Sequence, residues 1–360
     1  MPQMSQIQIK LNAKSNLLPS SDKLGFGQYF TDHMFCLNYE EGPGWNNPRV
    51  IPYQNLSLDP AACVFHYGQA LFEGMKAFRQ TNGKIALFRP SFNTQRMSQG
   101  AARLCMQAPP EDLLLAGIRE LVKVDQKWVP ADRSASLYIR PTLIATEPFL
   151  GVRPSKEYLC YVILSPVGSY YKEGVNPIKI WVEEEYVRAT PGGLGATKAG
   201  ANYAASLLAA MQARTKGYAQ VLWLDVNHHF IEEVGTMNVF FRIGDTVITP
   251  ELNGSILSGG TRECALRLLY DHAVKLGIKV EERKITMAEV MAAQKNKSLK
   301  EAFGTGTAAV ISPIGELHYQ EQAWEIGNGK MGSLAQFLYQ EITSIQYGEK
   351  PDLYNWIEQL

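Results

Sequence analysis

The chain has 360 residues, of which 46% are hydrophobic and 19% are charged, a composition typical of a soluble globular protein that excludes wholesale disorder. Its 35 Lys and Arg residues balance its 35 Asp and Glu residues, so no excess of positive charge favours general binding to nucleic acid or to an anionic membrane. The richest apolar stretch, 204–213, falls short of the ~18 residues that a membrane-spanning helix needs, and at about 150 residues per domain the length predicts two domains.

The first half of the chain predicts two strands, a hairpin, two helices and two more strands. The hairpin joins two apolar runs through Asn82-Gly83, because both residues tolerate the positive φ of a tight turn. The other elements follow from apolar periodicity and from β-branched and aromatic residues. In chain order they are strands at 31–39 and 49–58, the hairpin of 75–79 and 84–88, helices at 91–106 and 111–127, and strands at 136–145 and 158–165.

A composition shift at 167–177, which is rich in Gly, Pro and Asn, predicts an exposed connection between two cores. Hairpins outnumber β-α-β crossovers, so we predict an α+β fold of mostly antiparallel sheets with flanking helices. The predicted division is a small domain at 1–168, a connection at 169–177 and a large domain at 178–360. The elements of the large domain are strands at 178–187, 219–225, 229–234, 237–249 and 277–283, helices at 199–215, 261–276, 287–294 and 331–346, and a loop at 303–309.

The cysteines and histidines indicate neither a disulfide framework nor a metal site. The five cysteines are odd in number and far apart, and the six histidines have no metal-ligand spacing. Residues 1–21 lack the apolar core of a signal peptide, and the first arginine of the chain is Arg49, which speaks against a transit peptide. We therefore expect a cytoplasmic protein.

Lys198 follows a glycine-rich segment, 192–197, and is itself followed by small residues. A P-loop requires Gly-Lys-Ser/Thr, whereas the order here is Thr197-Lys198-Ala199, so that interpretation is excluded. Most lysines are simply solvated, and that interpretation stays open at this point. The small neighbours nevertheless allow a flat ligand to approach the amine, and a desolvated lysine can form an imine with a planar cofactor.

Two consecutive glutamates, Glu232 and Glu233, lie in a predicted strand. Neighbouring side chains on a strand point to opposite faces, so we expect only one of the two to point inward. An inward carboxylate that stays ionised needs a cation or strong donors. A pyridinium nitrogen would serve, and so would a nearby arginine.

Two further segments favour anion binding through backbone N–H groups. Gly259-Gly260-Thr261 precedes a helix, whose N-terminal end attracts anions, although Thr261 equally fits an ordinary N-cap. Residues 304–309 match the dinucleotide fingerprint Gly-x-Gly-x-x-Ala, but 310–313 look extended where a Rossmann site needs a helix. A loop of small residues that presents N–H groups to an anion fits better.

Together and in this order, these segments resemble the branched-chain amino-acid aminotransferases of the class IV (fold type IV) pyridoxal-phosphate enzymes. The resemblance runs from Gly25 to the Gly-Thr-Ala-Ala loop and includes the segments 66–78, 87–90, 137–141 and 232–238. It implies pyridoxal 5'-phosphate as the cofactor and reversible transfer of the amino group of L-leucine, L-isoleucine or L-valine to 2-oxoglutarate. It also implies a homodimer that binds small-molecule substrates and neither nucleic acid nor membrane.

The resemblance assigns Lys198 as the catalytic residue, which holds the cofactor as an imine and shuttles the proton. Glu233 would face the pyridine nitrogen and keep it protonated, and Tyr203 would donate a hydrogen bond to the phenolic oxygen. Arg89 corresponds to the arginine that binds the phosphate. The other implied phosphate contacts are Gly260, Thr261 and Thr307.

On the substrate side, the resemblance implies an aromatic pocket that discriminates weakly among Leu, Ile and Val, because one methylene contributes only ~1–3 kcal/mol. Arg140 matches the residue that lets the same pocket accept the second carboxylate of glutamate. Thr236 and the N–H groups of Thr307 and Ala308 would hold the α-carboxylate. The implied aromatic residues are Phe26, Tyr67, Phe72, Tyr138 and Tyr170.

Other functions stay open at the level of sequence. A D-amino-acid aminotransferase or an aminodeoxychorismate lyase would share the fold, a nicotinamide-dependent oxidoreductase would rest on the 304–309 glycines, and an inactive binding protein should lack Lys198. Ala309 and Ser312 occupy the positions of a redox-sensitive Cys-x-x-Cys in the animal enzymes, so we expect no thiol switch.

Overall fold

The structure is a computed structural model that describes residues 6–168 and 176–360. These residues divide into two compact units. The first unit contains 6–168 together with 197–201 and 344–360, and the second contains 176–196 and 202–343. Among the described residues, none of the helices combines the length and the apolar character of a membrane span.

Strands dominate both units. The strands are β1 (Gln8–Ile9), β2 (His33–Glu40), β3 (Gly44–Pro52), β4 (Ala70–Phe72), β5 (Met75–Arg79), β6 (Ile85–Phe88), β7 (Ser136–Ala145), β8 (Glu157–Val167), β9 (Ile178–Val182), β10 (Gln220–Leu224), β11 (Ile231–Val234), β12 (Met237–Ile243), β13 (Thr246–Thr249), β14 (Lys279–Glu282), β15 (Leu299–Gly306), β16 (Val310–Tyr319), β17 (Gln322–Glu325) and β18 (Ile357–Gln359). The α-helices are α1 (Cys63–Tyr67), α2 (Pro90–Arg103), α3 (Glu111–Val124), α4 (Gly200–Ala205), α5 (Leu207–Thr215), α6 (Gly260–Leu276), α7 (Met287–Lys295) and α8 (Ser333–Gln346).

The sheet of the first unit has the strand order β1-β3-β2-β8-β7-β5-β6-β18, and β4 also pairs with β7. Its neighbouring strands are antiparallel apart from β1 and β3. Helix α3 buries Leu114, Ile118 and Leu121, which follow the spacing of one helix face, against this sheet. Gly117 lies so close to Phe35 of β2 that a Cβ would be 2.4 Å from its ring, so the helix packs tightly onto the strand.

In the second unit, strands follow the order β11-β10-β9-β16-β15-β12-β13-β14, and β17 pairs with β16. An additional pairing of β11 with β12 closes a ring of six strands, which are β9, β10, β11, β12, β15 and β16. Residues with no exposed surface or almost none, such as Ile180, Leu222, Phe241 and Leu317, fill its core. The predicted α+β fold with mostly antiparallel sheets is confirmed, and the parallel pairs here are β9–β10, β9–β16 and β13–β14.

The hairpin prediction is confirmed, because β5 and β6 pair across the turn at Asn82-Gly83. Only Gly83 adopts a positive φ, of 80°, so the turn needs just one of the two permissive residues. The predicted strand at 49–58 is wrong at both ends: β3 is Gly44–Pro52, and its ladder with β2 ends where Pro52 lies opposite His33, the first residue of β2.

Three elements of the second half also differ from prediction. The helix at 199–215 breaks into α4 and α5 at Ser206, whose hydroxyl donates to the carbonyl of Tyr203 at 2.8 Å and competes with the helical pattern. The strand at 237–249 breaks at Gly244, whose φ is 61°. The loop at 303–309 is shorter than predicted, because β15 continues through Gly306.

The chain also returns to the first unit in places where the sequence assigned it to the large domain. Residues 197–201 lie along β4, and β18 pairs with β6 at the edge of the first sheet. These pairings connect residues that are far apart in the chain, which local patterns do not reveal.

Candidate active site

In the first unit, Lys198 lies beside strand β4. The backbone N–H of Phe72 donates to the carbonyl oxygen of Lys198 at 3.1 Å, and Ala199 forms a β-bridge with Leu71. The short stretch therefore acts as an extra strand, which fixes the direction of the lysine side chain. The Lys198 Nζ lies 4.9 Å from the centroid of the Phe72 ring.

The environment of Lys198 favours the neutral amine. The residue as a whole is half-buried, and desolvation of its amine lowers the pKa from 10.5 to about 8. The positive charges of Arg96 and Arg140 act in the same direction, whereas Glu73 and Tyr138 oppose them. Near pH 8 about half of the amine is then unprotonated and able to form a covalent bond, and at neutral pH a smaller fraction is.

Four of the predicted substrate residues meet beside this lysine. The Arg140 guanidinium lies 4.6 Å from the centroid of Phe72 and donates from Nη2 to the Tyr138 hydroxyl at 3.1 Å. The ring of Tyr138 packs edge-on against Phe26, with centroids 5.1 Å apart. Phe26, Phe72, Tyr138 and Arg140 thus form one cluster, which we call the aromatic–arginine cluster.

The backbone beside this cluster is adapted to it. At Gly74, a Cβ would lie 2.0 Å from the Tyr138 hydroxyl oxygen, so any larger residue would displace the tyrosine. The Nε of Arg140 is buried and has no hydrogen-bond partner among the described residues. Buried donors in native proteins are normally paired, so this guanidinium has unused capacity for an anion.

Sequence reasoning missed Arg96, which acts electrostatically on Lys198. Its guanidinium forms a bidentate pair with Glu73, from Nε to Oε1 and from Nη2 to Oε2, both at 2.7 Å. Asn93, one turn earlier on α2, donates to the same carboxylate at 2.7 Å. The sequence does place Asn93 and Arg96 three residues apart, on one face of α2. This spacing indicates a shared partner only once Glu73, from a different element, is known to lie against both residues.

Arg89, the predicted phosphate ligand, stands at the start of α2 with a positive φ of 50°. Its N–H donates to the carbonyl of Trp356 at 2.7 Å, which fixes the entry of the helix. The guanidinium carbons of Arg89 and Arg96 lie 4.6 and 5.2 Å from the centroid of Phe92. Two arginines therefore flank one ring at this end of the first unit.

Two of the predicted aromatic pocket residues, Tyr67 and Tyr170, have no described contact with the cluster. Tyr67 is 43% exposed at the end of α1, and its hydroxyl donates to the carbonyl of Leu150. Tyr170 lies outside the described residues, so its predicted role is untested.

In the second unit, Glu233 is 3% exposed on β11. Its Oε1 accepts the N–H of Leu257 at 2.7 Å and pairs with Arg188 at 3.2 Å. Arg188, which sequence reasoning missed, also donates to the carbonyl oxygens of Gly195 and Ser255. A cation and a backbone donor are what a buried carboxylate needs to stay ionised.

The prediction was that only one of the two consecutive glutamates points inward, whereas both are buried, with Glu232 1% and Glu233 3% exposed. The two side chains do leave opposite faces of β11, as a strand requires. The segment 253–257 covers the strand and supplies partners to both, through Asn253 and Ser255 for Glu232 and through Leu257 for Glu233.

The predicted anion-binding residues Gly260 and Thr261 are the first two residues of α6, where the backbone N–H groups lie outside the internal hydrogen bonds of a helix. The N-cap is Gly259 rather than Thr261. A Cβ at Gly259 would be 2.0 Å from the Asn238 Oδ1, and Asn238 donates to the carbonyl of Leu257 at 2.9 Å. A side chain of β12 thus positions the segment that precedes α6.

The remaining predicted residues of this unit lie on turns and on α4. Thr236 is in the two-residue turn between β11 and β12, and Thr307 and Ala308 are in the turn between β15 and β16. Because β12 pairs with β15 in antiparallel register, with Asn238 opposite Thr305, the two turns lie at the same end of neighbouring strands. Tyr203 is a half-buried residue of α4.

Comparisons with known proteins identify the family of this chain. The model of the family described as amino-transferase class IV matches residues 70–317. The branched-chain-amino-acid aminotransferase 2 of Bacillus subtilis (strain 168) is 50% identical over 351 residues, covering 97% of this chain and 96% of that protein. The branched-chain-amino-acid aminotransferase of Mycolicibacterium smegmatis is 43% identical over 366 positions, with 98% of each chain covered.

Solved structures of the same kind share the fold. The branched-chain amino acid aminotransferase of Escherichia coli superposes with a TM-score of 0.75 at 26% identity, over 91% of this chain and 99% of that one. That of Thermobaculum terrenum, solved in its PLP-form, gives a TM-score of 0.70 over 90% and 97%, and at 21% identity this likeness shows the fold alone. The chain belongs to the class IV aminotransferases, because the family model matches most of its length and because the two bacterial enzymes above are similar to it over nearly their whole length.

Proposed function

We propose that this protein is a branched-chain amino-acid aminotransferase, which transfers the amino group of L-leucine, L-isoleucine or L-valine to 2-oxoglutarate. The observation that carries the proposal is the desolvated amine of Lys198 beside the aromatic–arginine cluster. An apolar surface with one guanidinium suits two kinds of substrate, a branched aliphatic side chain and the second carboxylate of glutamate. The names of the similar proteins support the same substrates.

Pyridoxal 5'-phosphate is the cofactor that fits the residues present. An aldehyde needs a near-neutral amine, which Lys198 offers, and a pyridinium nitrogen needs a buried anion, which Glu233 offers. A phosphate needs guanidinium groups and N–H donors, and the resemblance assigns these to Arg89 and to the start of α6. When bound, this cofactor supplies an electron sink for the electron pair left at the substrate α-carbon.

The protein's own groups then move and hold the protons. The Lys198 Nζ takes the proton from the substrate α-carbon as a base and returns it as an acid, which suits a pKa of about 8. Glu233, ionised beside Arg188, keeps a proton on the ring nitrogen, and the Tyr203 hydroxyl hydrogen-bonds the phenolic oxygen. The α-carboxylate is held at the turns that carry Thr236, Thr307 and Ala308.

For the phosphate we propose Arg89 together with Arg96, supported by the N–H groups of Gly260 and Thr261 and by Thr307. Arg96 is added because its charge acts on Lys198 and because it shares the Phe92 ring with Arg89. Its bidentate pairing with Glu73 holds the guanidinium in one orientation. The aromatic pocket is proposed to consist of Phe26, Phe72 and Tyr138, with Tyr67 and Tyr170 retained as predictions.

A homodimer is part of the proposal. Helix α1 and the loop after β7 carry large apolar side chains whose exposed fractions are high for a monomer: Phe65 60%, Tyr67 43%, Leu150 62% and Val152 88%. The Tyr67 hydroxyl bonds to the Leu150 carbonyl, so the residues belong to one surface. A second copy of the chain is the proposed cover. A cytoplasmic location is also proposed, because all five cysteines are free thiols, as a reducing compartment would keep them.

An absorbance spectrum of the purified protein tests the function. Bound cofactor should give a visible band that sodium borohydride bleaches, and L-leucine should shift this band to that of the pyridoxamine form, with 2-oxoglutarate restoring it. A response to D-alanine and not to L-leucine would identify a D-amino-acid aminotransferase instead. Release of pyruvate from aminodeoxychorismate would identify a lyase, and a colourless protein that binds NADH would refute the proposal.

A further inference from the structure

Glu232, which none of the proposed roles uses, is a buried acid next to the residue proposed to face the cofactor nitrogen. It is 1% exposed, and its Oε1 contacts the Ser255 hydroxyl and the Asn253 Nδ2, the latter at 3.3 Å. Its Oε2 is buried and has no hydrogen-bond partner among the described residues. An ionised carboxylate with one oxygen unpaired in the interior is strongly disfavoured.

The contacts of the Ser255 hydroxyl also favour a proton on Glu232. Ser255 Oγ lies within hydrogen-bond distance of two acceptor oxygens, Glu232 Oε1 and Asn253 Oδ1, the second at 2.7 Å. A hydroxyl has one proton and can donate to only one of them. If Ser255 donates to Asn253, a protonated Glu232 can donate to Ser255, and every contact then has its hydrogen.

The charged groups that face Glu232 do not reverse this conclusion. Burial raises the pKa of Glu232 above its ordinary value of 4.5, and Asp225 acts in the same direction. Hydrogen bonds from Ser255 and Asn253 and the charge of Arg188 act in the opposite direction and are outweighed. Arg188 is instead paired directly with Glu233 at 3.2 Å.

The segment that Glu232 contacts is the one that binds Glu233. Asn253 and Ser255 lie shortly before Leu257, whose N–H donates to Glu233 at 2.7 Å. The backbone of Ser255 is held from its other side, because Arg188 donates to its carbonyl and a Cβ at Gly195 would lie 2.0 Å from the same oxygen. The segment is therefore fixed to β11 by two neighbouring glutamates.

We propose that Glu232 is a protonated positioning residue, which anchors the segment 253–257 so that Leu257 and Arg188 hold Glu233 in its ionised, correctly oriented state. This rests on the proposed function of Glu233. A neutral Glu232 leaves the whole charge of Arg188 to Glu233, whereas an ionised one would compete for that cation and repel its neighbour. Two adjacent carboxyl groups thereby perform different tasks because their surroundings differ.

Infrared spectroscopy of the full-length purified protein tests the protonation. The wild type should show the C=O stretch of a buried carboxylic acid at neutral pH, and this band should be missing in Glu232→Gln. Glu183→Gln is the matched control, since Glu183 is also a buried glutamate of the same unit, 5% exposed, whose Oε1 accepts the N–H groups of Glu185 and Tyr186. The band should persist in this control. Its absence from the wild type, or its persistence in Glu232→Gln, would overturn the proposal.

Enzyme variants test the positioning. In Glu232→Ala, the pH at which the visible band of the bound cofactor changes should shift, and kcat for L-leucine should fall about tenfold with little change in KM, because a small misplacement of a reacting group is costly. Glu232→Gln should keep the wild-type spectrum and activity to within about twofold, since an amide reproduces the neutral acid and its donor.

A Glu232→Ala variant that matches the wild type in spectrum and kcat, or a Glu232→Gln variant that is as impaired as Glu232→Ala, would contradict the positioning role. If Glu232→Ala does not fold, Glu232→Gln and the infrared band decide. A wild type that shows no spectral response to L-leucine would refute the proposed function, whereas the infrared result depends on Glu232 alone.

Discussion

Replacing Arg140 by methionine should separate the two substrates of the proposed reaction. Methionine retains an unbranched side chain that can pack on the Phe72 ring, from whose centroid the guanidinium is 4.6 Å away, but it has no charge. Leucine needs only the packing, whereas the second carboxylate of glutamate needs the cation. The variant should therefore lose activity with glutamate and 2-oxoglutarate far more than with leucine.

The size of the effect follows from the contacts of Arg140. Its Nη2 is already used by the Tyr138 hydroxyl at 3.1 Å, while its Nε is buried without a partner among the described residues. A hydrogen bond to a charged group contributes about 1.5–3 kcal/mol, and about 1.4 kcal/mol is a factor of ten, so kcat/KM for glutamate should fall about ten- to a hundredfold relative to leucine. Removing the charge also affects Lys198, whose pKa Arg140 helps to lower, but this acts on both substrates and cancels in the ratio.

The assay is the rate of the spectral change of the bound cofactor in single half-reactions, with L-glutamate and with L-leucine. Tyr138→Phe is the control, because it removes the hydroxyl that accepts from Arg140 and keeps both the ring and the charge; it should change the ratio by less than about threefold. Equal losses with glutamate and leucine in Arg140→Met would refute the argument that Arg140 serves the second carboxylate.

Three further predictions concern the catalytic amine, a buried lysine and a helix end. Lys198→Ala should abolish transamination while circular dichroism and the thermal unfolding midpoint remain those of a folded protein; near-normal turnover would rule out its role. Lys76 is 7% exposed, and burial lowers its pKa from 10.5 to about 8. Between pH 8 and pH 10.5 the native state therefore binds fewer protons than the unfolded state, so the stability of the wild type increases as the pH rises through this range. The extra stability of Lys76→Met over the wild type in urea unfolding should accordingly be largest below pH 8 and shrink towards pH 10.5, and a constant difference would show that burial of the charge is not the cause. Glu301 is 6% exposed and accepts the N–H groups of Leu334 and Ala335 at the start of α8, at 3.0–3.1 Å. Glu301→Ala should therefore lower the free energy of unfolding by about 1–3 kcal/mol. An unchanged urea midpoint would contradict this capping role.

Local patterns in the sequence were sufficient where one stretch of chain contains all the information. The hairpin at Asn82-Gly83 and helix α3 follow from a permissive turn and from apolar spacing, which depend only on near neighbours. The resemblance of ordered motifs likewise singled out Lys198 and Glu233 as candidate site residues. These motifs, however, do not indicate which side chains surround Lys198 and Glu233.

Partners that come from distant parts of the chain were missed. The role of Arg96 becomes visible only in the structure, where Glu73 of the β4–β5 connection pairs with it. The role of Arg188 likewise becomes visible only through its pairing with Glu233. From the sequence, neither arginine was assigned a role. The same holds for the C-terminal strand β18, whose partner β6 lies in the first quarter of the chain.

The amino-acid sequence by itself determined the antiparallel α+β class and the succession of most strands and helices, and it singled out Lys198 as the candidate catalytic lysine, because periodicity, turn residues and motif order are local properties. Only the tertiary structure decided how acidic or basic each group is. It buried both glutamates of β11 and gave Arg188 to one and Ser255 to the other, and it desolvated the amine of Lys198. The physical reason is that the protonation of a side chain depends on the solvent removed from it and on the charges near it, and folding brings both from residues that are remote in the chain.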